Sequence, residues 1–315
     1  MPTLANQGSA ALVQRACSVT VGIPGSPDSI LIECGNGTGL DVSFHITRGV
    51  HATAGSISPQ PNTCDLRIWG LTRNHRNALA KSTAGNTVSP GTLAKVIPAI
   101  ITAGYAGNRT TLFSGELRAA NFVTDGADKY VAEMTTGDGD QALLQARLNF
   151  HVTPGSAMQQ VLQNIVGQMG VQPGNLQAAL AQIAASPVAA QIFAKGATLK
   201  GSASEILADL CRSTGFSFSV QNGSLSFTPL NQPIPGTAIL IDEQHGLIGN
   251  ATVDTKGIMN CKTLMIPGVV PGAQLVVNAI NVTGTYSVLG VETTGNTSEG
   301  SSDWGHSIDA QRLAA

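Results

Sequence analysis

Asn62-Thr63-Cys64-Asp65-Leu66-Arg67-Ile68-Trp69-Gly70 opens the stretch, running to Gly139, whose reading decides the fold. From Cys64 the residues alternate: Cys64, Leu66 and Ile68 point one way and Asp65, Arg67 and Trp69 the other, the pattern of a half-buried strand. Gly70 ends it. Thr72 is placed to cap a short, polar helix over 73–81, whose Ala78 and Leu79 can face a sheet. Beyond the turn signals Gly85, Pro90 and Gly91 come strand-like runs at 96–101, 103–105, 112–117 and 129–134, and the stretch closes on Asp138-Gly139-Asp140.

Outward from this stretch, the preceding residues also read as β-structure. Runs at 18–23 and 29–34 flank the turn-rich Pro24-Gly25-Ser26-Pro27-Asp28 and predict a meander, and Leu40, Val42, Phe44 and Ile46 share one face of a strictly alternating strand. The character changes after Asp140. A helical turn is expected over 142–146; Ser156 is expected to cap a helix carrying Met158, Val161, Leu162, Ile165, Val166 and Met169 at helical spacing, with Gly170 as its stop. An Ala-rich helix follows over 175–183, and another over 202–214 with Ile206, Leu207, Leu210 and Cys211 as its stripe. Both stripes read as core. Asn222-Gly223, between Phe216–Val220 and Ser224–Phe227, is the strongest hairpin signal in the chain, because this pair tolerates the positive φ of a type I′ turn. From Leu230 the chain is β again: a linker at Pro233, Pro235 and Gly236, strands near 238–242, 246–249, 261–266, 273–277 and 284–292, a polar loop, and a last strand from Trp304.

The order of parts between Asn62 and Gly139 resembles the N-terminal tube-like domain of tailed-bacteriophage hub proteins, which sit at the tail tip or in the baseplate. The matching pieces are Gly70-Leu71 with Thr72-Arg73, Ala103-Gly104-Tyr105, Phe113-Ser114-Gly115-Glu116 and Asp138-Gly139. Thr214-Gly215-Phe216 is similar to the helix end of that family's middle domain. Gly246-Leu247-Ile248-Gly249, the Pro267–Gly272 loop, Gly284-Thr285-Tyr286-Ser287-Val288 and the strand at Trp304 are similar to its second barrel. Where many relatives carry His-x-Gly-Asp before the variable loop, this chain has Thr293-Thr294-Gly295-Asn296, so no metal or partner role carries over to that loop.

The resemblance implies a mainly β fold with an α+β insert: a tail-tube-like β-barrel over 1–148, a small helix-hairpin middle domain over 149–230, and a second barrel over 231–315 to which strands of the middle region can contribute. It also implies a homotrimer joining a hexameric tail tube, or its terminating ring, to a trimeric central spike. The tape-measure and baseplate wedge proteins would be further neighbours, and the virion's tail tip the location. Trp69, Tyr105, Phe113, Tyr286 and Trp304 are the expected barrel or interface anchors, with ordinary core packing as the alternative for each.

Composition bounds the reading. A chain of 315 residues can hold two or three domains. Only 11% of residues are charged and 36 are Gly, against roughly a quarter charged in an average globular protein. Two readings stay open on this ground: a Gly/Ser/Thr-rich β protein with a neutral surface, or a surface covered in a permanent assembly. A net charge of -2 with no Lys/Arg run argues against direct reading of nucleic acid. No apolar window approaches the ~20 residues of a membrane span. Met1-Pro2-Thr3-Leu4-Ala5-Asn6 lacks the basic and apolar regions of a signal peptide, so folding in a cytoplasm is expected.

Candidate chemistry is sparse. Cys17, Cys34, Cys64, Cys211 and Cys261 show no metal spacing and read as reduced, mostly buried thiols. His45, His51, His75, His151, His245 and His306 read as lone surface or turn histidines, without HExxH or comparable spacing. Gly35-Asn36-Gly37-Thr38-Gly39 lacks the Gly-Lys-Ser/Thr of a P-loop and reads as a hairpin loop. No catalytic, cofactor-binding or metal-ligating residue is nominated. The acidic pairs Asp138/Asp140 and Asp242/Glu243 sit at strand ends, where turn chemistry accounts for them. The alternative to a structural hub is a phage cell-wall-degrading enzyme or a carbohydrate-binding β module; against it stands an aromatic content of 4%.

Overall fold

The computed structural model describes residues 14–313 apart from 28, 36–37, 50–60, 84–95, 106, 126–128, 185–192, 230–231, 235, 237 and 299–300. His51, Gly85, Pro90, Gly91, Pro235, the Asn36-Gly37 step and the first six residues lie outside the described residues. The fold is mainly β, as expected, and is dominated by one 13-stranded sheet.

Its first block comprises β1 (Arg15–Val21), β2 (Ile30–Gly35), β3 (Asp41–Gly49), β4 (Asn62–Trp69), β5 (Pro98–Tyr105), β6 (Asn108–Asp125) and β7 (Lys129–Asp138), in the spatial order β3-β4-β7-β6-β5-β1-β2. Alternation decides which side chains turn inward. Cys64, Leu66 and Ile68 of β4 are buried with Val42, Phe44 and Ile46 of β3, as the period of two predicts. Ile32 and Cys34 of β2 join the same core cluster as Phe44 of β3, so the two ends of the block meet around one core: the sheet is rolled. The Gly35 N–H donates to the Leu40 carbonyl at 2.9 Å across the glycine-rich segment between β2 and β3, although these two strands form no ladder among the described residues.

α1 (Arg73–Thr83) follows β4 after Gly70, whose φ of +80° ends the strand. The His75 N–H donates to Thr72 Oγ1 at 3.2 Å, the expected cap, and Leu79 is buried in the first core.

After β7 the chain leaves the large sheet. A π-helical turn (Gln141–Gln145) leads to β8 (Arg147–Val152), α2 (Met158–Met169), α3 (Leu176–Ala184), β9 (Ala197–Ser202), α4 (Ala203–Thr214), β10 (Phe216–Gln221) and β11 (Ser224–Pro229). All six apolar positions predicted for α2 are buried, and Gly170 ends it in the left-handed region. The residue at its N-cap is Ala157 rather than Ser156, whose hydroxyl donates to the Thr153 carbonyl at 2.8 Å. Asn222 (φ 54°) and Gly223 (φ 75°) both have positive φ, as the type I′ reading requires. The helices and this hairpin enclose their own core, and neither β8-β9 nor β10-β11 joins the large sheet.

The second block comprises β12 (Ile239–Ile241), β13 (Leu247–Val253), β14 (Ile258–Leu264), β15 (Gln274–Asn278), β16 (Thr283–Asn296) and β17 (Trp304–Arg312). Its order, β13-β14-β17-β16-β15-β12, repeats the β3-β4-β7-β6-β5-β1 order of the first block, with β12 parallel to β15 where β1 is antiparallel to β5. Ile241 of β12 and Ala251 of β13 meet in one core, so this block is rolled too. The strands flanking the Pro267–Gly272 loop do not pair with each other: β14 lies between β13 and β17, and β15 between β12 and β16.

Candidate functional site: a shared sheet with a polar face

The two blocks are fused through backbone. Residues 290–296 of β16, past the end of its pairing with β15, form an antiparallel ladder with 43–49 of β3. Thr297 extends the seam, its Oγ1 accepting the Val42 N–H at 2.8 Å across 255 positions of sequence. Gly295 lies opposite Phe44, and the Phe44 ring occupies the space a Cβ would need. Trp304 meets that ring edge-on at 5.8 Å and carries the Arg15 guanidinium over its own face at 5.6 Å.

Because side chains alternate, the face opposite the cores is polar across the middle of the fused sheet, where β14, β17, β16, β3, β4 and β7 lie side by side. Going across the strands, one row reads Lys262, Ser307, Glu292, Thr47 and Thr63; the next reads Thr294, His45, Asp65 and Thr135. Two adjoining grooves of about 540 and 430 Å³ lie on this face and share Thr294 and Asp303. Arg67 pairs with Glu133 at 3.1 Å, and both are well exposed, so the pair adds little stability.

A buried polar joint fixes the helical segment to the sheet. Asp138, at the end of β7, is fully buried, and its carboxylate accepts the Asn222 N–H at 2.6 Å and the Gly223 N–H at 2.8 Å. Turn chemistry was expected for Asp138; the turn it satisfies is instead the hairpin tip 84 and 85 positions away. Asn222 Oδ1 in turn accepts from Arg48 Nη2 at 2.9 Å and from the Ser114 N–H at 3.0 Å. Asn62 Nδ2 donates to the Val220 carbonyl at 2.6 Å. Burial pushes the Asp138 carboxyl up, while the two amides and Arg48 hold it back. Burial lowers Arg48 to about 10, so it stays charged at neutral pH beside Asp138. Asp140 takes both oxygens to Arg118, at 2.5 and 2.6 Å. Asp242 keeps the turn role predicted for it: its Oδ1 accepts the Gln244 and His245 N–H groups at 2.8 and 2.7 Å.

Tyr105, Phe113, Tyr286 and Trp304 are buried, and Trp69 is half-buried with its Nε1–H donated to Asp125 at 3.1 Å. Tyr105, Phe113 and Trp304 share the first core and Tyr286 lies in the second. The five cysteines are free and buried, as read from their spacing. His306 departs from the surface expectation: it is buried, with Nε2–H donated to the Ile266 carbonyl at 3.0 Å and Nδ1 accepting from Thr293 Oγ1 at 2.8 Å. Its signal was in the sequence, since Trp304, His306, Ile308 and Ala310 are in phase. Asn62 and Arg48 were not singled out, because their partners are distant in sequence.

Among solved structures, the chain is similar over most of its length to the 43 kDa tail protein of prophage MuSo2 from Shewanella oneidensis: TM-score 0.56, 10% identity, 94% of this chain and 96% of that one. The tail protein from Neisseria meningitidis MC58 gives a TM-score of 0.56 at 8% identity with the same coverage, 94% and 96%. This is a phage tail-protein fold. The same tail-protein architecture extends to an Escherichia coli component of the type VI secretion system, described as similar to T4 bacteriophage tail proteins gp27 and gp5 (TM-score 0.52, 9% identity, 87% of this chain and 74% of that one). No family model matches the chain, and no curated protein matches it.

Proposed function

We propose that the chain is a structural hub of a phage tail, working as a homotrimer whose six rolled blocks form a pseudo-six-fold ring. The ring would dock on one side to the hexameric tail tube, or its terminating ring, and on the other to a trimeric central spike. Residues 1–148 and 231–315 would be the two tube-like barrels, 149–230 the domain between them, and the tip of the virion's tail the place of action. The tape-measure and wedge proteins are the further neighbours of this reading.

The observation that carries it is the strand order repeated in two blocks that share one sheet. A chain holding two similar units lets three copies present six, which reconciles a threefold partner with a sixfold one. The buried Asp138 joint supports it as well, since a hub transmitting force needs its parts held rigidly. The work lies in interfaces, with no catalytic step.

Native mass measurement and electron microscopy of the purified chain, alone and mixed with tube and spike proteins of the same phage, test the reading. A threefold ring that caps tube ends is expected. Failure to assemble in any mixture, or peptidoglycan clearing in a zymogram, overturns it.

A further inference from the structure

The core of the first block holds three thiols, and two of them face each other. Cys17 of β1 stands directly opposite Cys34 of β2 in their antiparallel ladder, and both side chains are buried in the same core. The inward pairs that follow are aliphatic: Val19 faces Ile32 and Val21 faces Ile30. Cys64 of β4, the third thiol, lies near Cys17 from across the core. Cys211 and Cys261 sit in the two other cores. Directly opposed residues of an antiparallel ladder have Cα atoms roughly 4.5–5.5 Å apart, and a disulfide spans Cα separations of about 4.4–6.8 Å. Cys17 and Cys34 can therefore be bridged without any change of register.

We propose that Cys17 and Cys34 are a latent cross-strand disulfide, closed by a disulfide oxidant of the glutathione class once the chain leaves a reducing compartment. The thiolate of one cysteine attacks the S–S bond of the oxidant, forming a mixed disulfide and releasing one reduced thiol. The other cysteine, having given up its proton, attacks the protein sulfur of that mixed disulfide, forms the Cys17–Cys34 bond and releases the second thiol. The pair loses two protons and two electrons, and all of them end on the two released thiols.

Burial pushes the Cys34 thiol up to about 12, and it pushes Cys17 well above its ordinary value, with Cys34 and Cys64 adding to the rise. Neither is a thiolate in the closed sheet at neutral pH, so the reaction starts from an opened one. β2 provides the opening: it is the last strand of its block and pairs only with β1 among the described residues. Release of that single ladder exposes Cys34, and its return to register brings Cys34 back against Cys17. Once formed, the bond fixes a strand that is otherwise held from one side only. The inference goes beyond the hub reading, which enters only in the place of oxidation: a tail part is made in the cytoplasm and works outside the cell.

Incubating the full chain with oxidised glutathione under native conditions until the thiol count is constant, then alkylating in denaturant and digesting with trypsin, tests the pairing. Arg15 and Arg48 bound a stretch with no other Lys or Arg, so Cys17 and Cys34 fall on one peptide, 16–48, and Cys64 on the next, 49–67. Peptide 16–48 should be two hydrogens lighter and take up no alkyl group, while Cys64, Cys211 and Cys261 are alkylated; dithiothreitol should restore both thiols. The thermal midpoint should rise by roughly 5 °C on oxidation, a shift that Cys34→Ser should abolish. Alkylation of all five cysteines, glutathione left on Cys34, or a cross-link between 16–48 and 49–67 overturns the pairing. A bond that forms without raising the midpoint overturns its part in fixing β2. Each of these outcomes is read on the chain alone and leaves the hub reading to its own assembly test.

Discussion

Glu116 sits where β6 leaves its pairing with β5, and burial, with Asp140 and Asp138 nearby, pushes its carboxyl up to about 7. A raised acid favours folding below its unfolded value, and that contribution disappears as pH rises through the folded value. Stability should therefore fall between pH 4.5 and 7 on this account, by about 1–2 kcal/mol once solvent screening of a partly exposed group is allowed for. Glu116→Gln should be more stable than the wild type at pH 8 and equal to it near pH 4, as read from denaturant melts. His306 runs the other way. Burial holds it down at about 4, so it stays neutral while an unfolded histidine charges, and stability is lost as pH falls from 6.5 toward 4. The loss should reach about 3 kcal/mol, and His306→Gln, which cannot charge, should flatten the melting profile across that window.

At the level of elements, the seam and the joint make separable predictions. Gly295→Ala would drive a methyl into the Phe44 ring, which Trp304 holds in place, and should cost about 1–3 kcal/mol in thermal or denaturant melts. Asp138→Ala would leave the Asn222 and Gly223 amides unpartnered and Arg48 without its nearby countercharge. Amide exchange across β10 and β11 should accelerate, while β14 and β17 stay protected. These elements also show what the sequence discloses. The alternation of β3 and β4, the stripes of α2 and α4 and the Asn222-Gly223 turn were legible because each depends on neighbours within a few residues. The β3-β16 ladder, the parallel β12-β15 pair and the Asp138 contact depend on which distant strands meet. Ser156 does not cap α2, for a local reason: its hydroxyl bonds backward to Thr153 instead of forward into the helix.

For the molecule as a whole, the common sheet predicts that β3 and β16 share the slowest amide exchange with the strands on both sides of them. The helices of the middle segment, with a core of their own, should open independently in the same measurement. The seam also sets an order of events during synthesis. The outer edge of β3 leaves the ribosome early, but Thr297, which bonds to Val42, lies 255 positions later. At roughly 5–20 residues per second the edge waits on the order of 10–50 s for its partner. A fragment ending at residue 230 should accordingly scatter light in solution where the full chain does not. In the cell, a holding chaperone would have its strongest claim on this protein in the interval before its last two strands emerge.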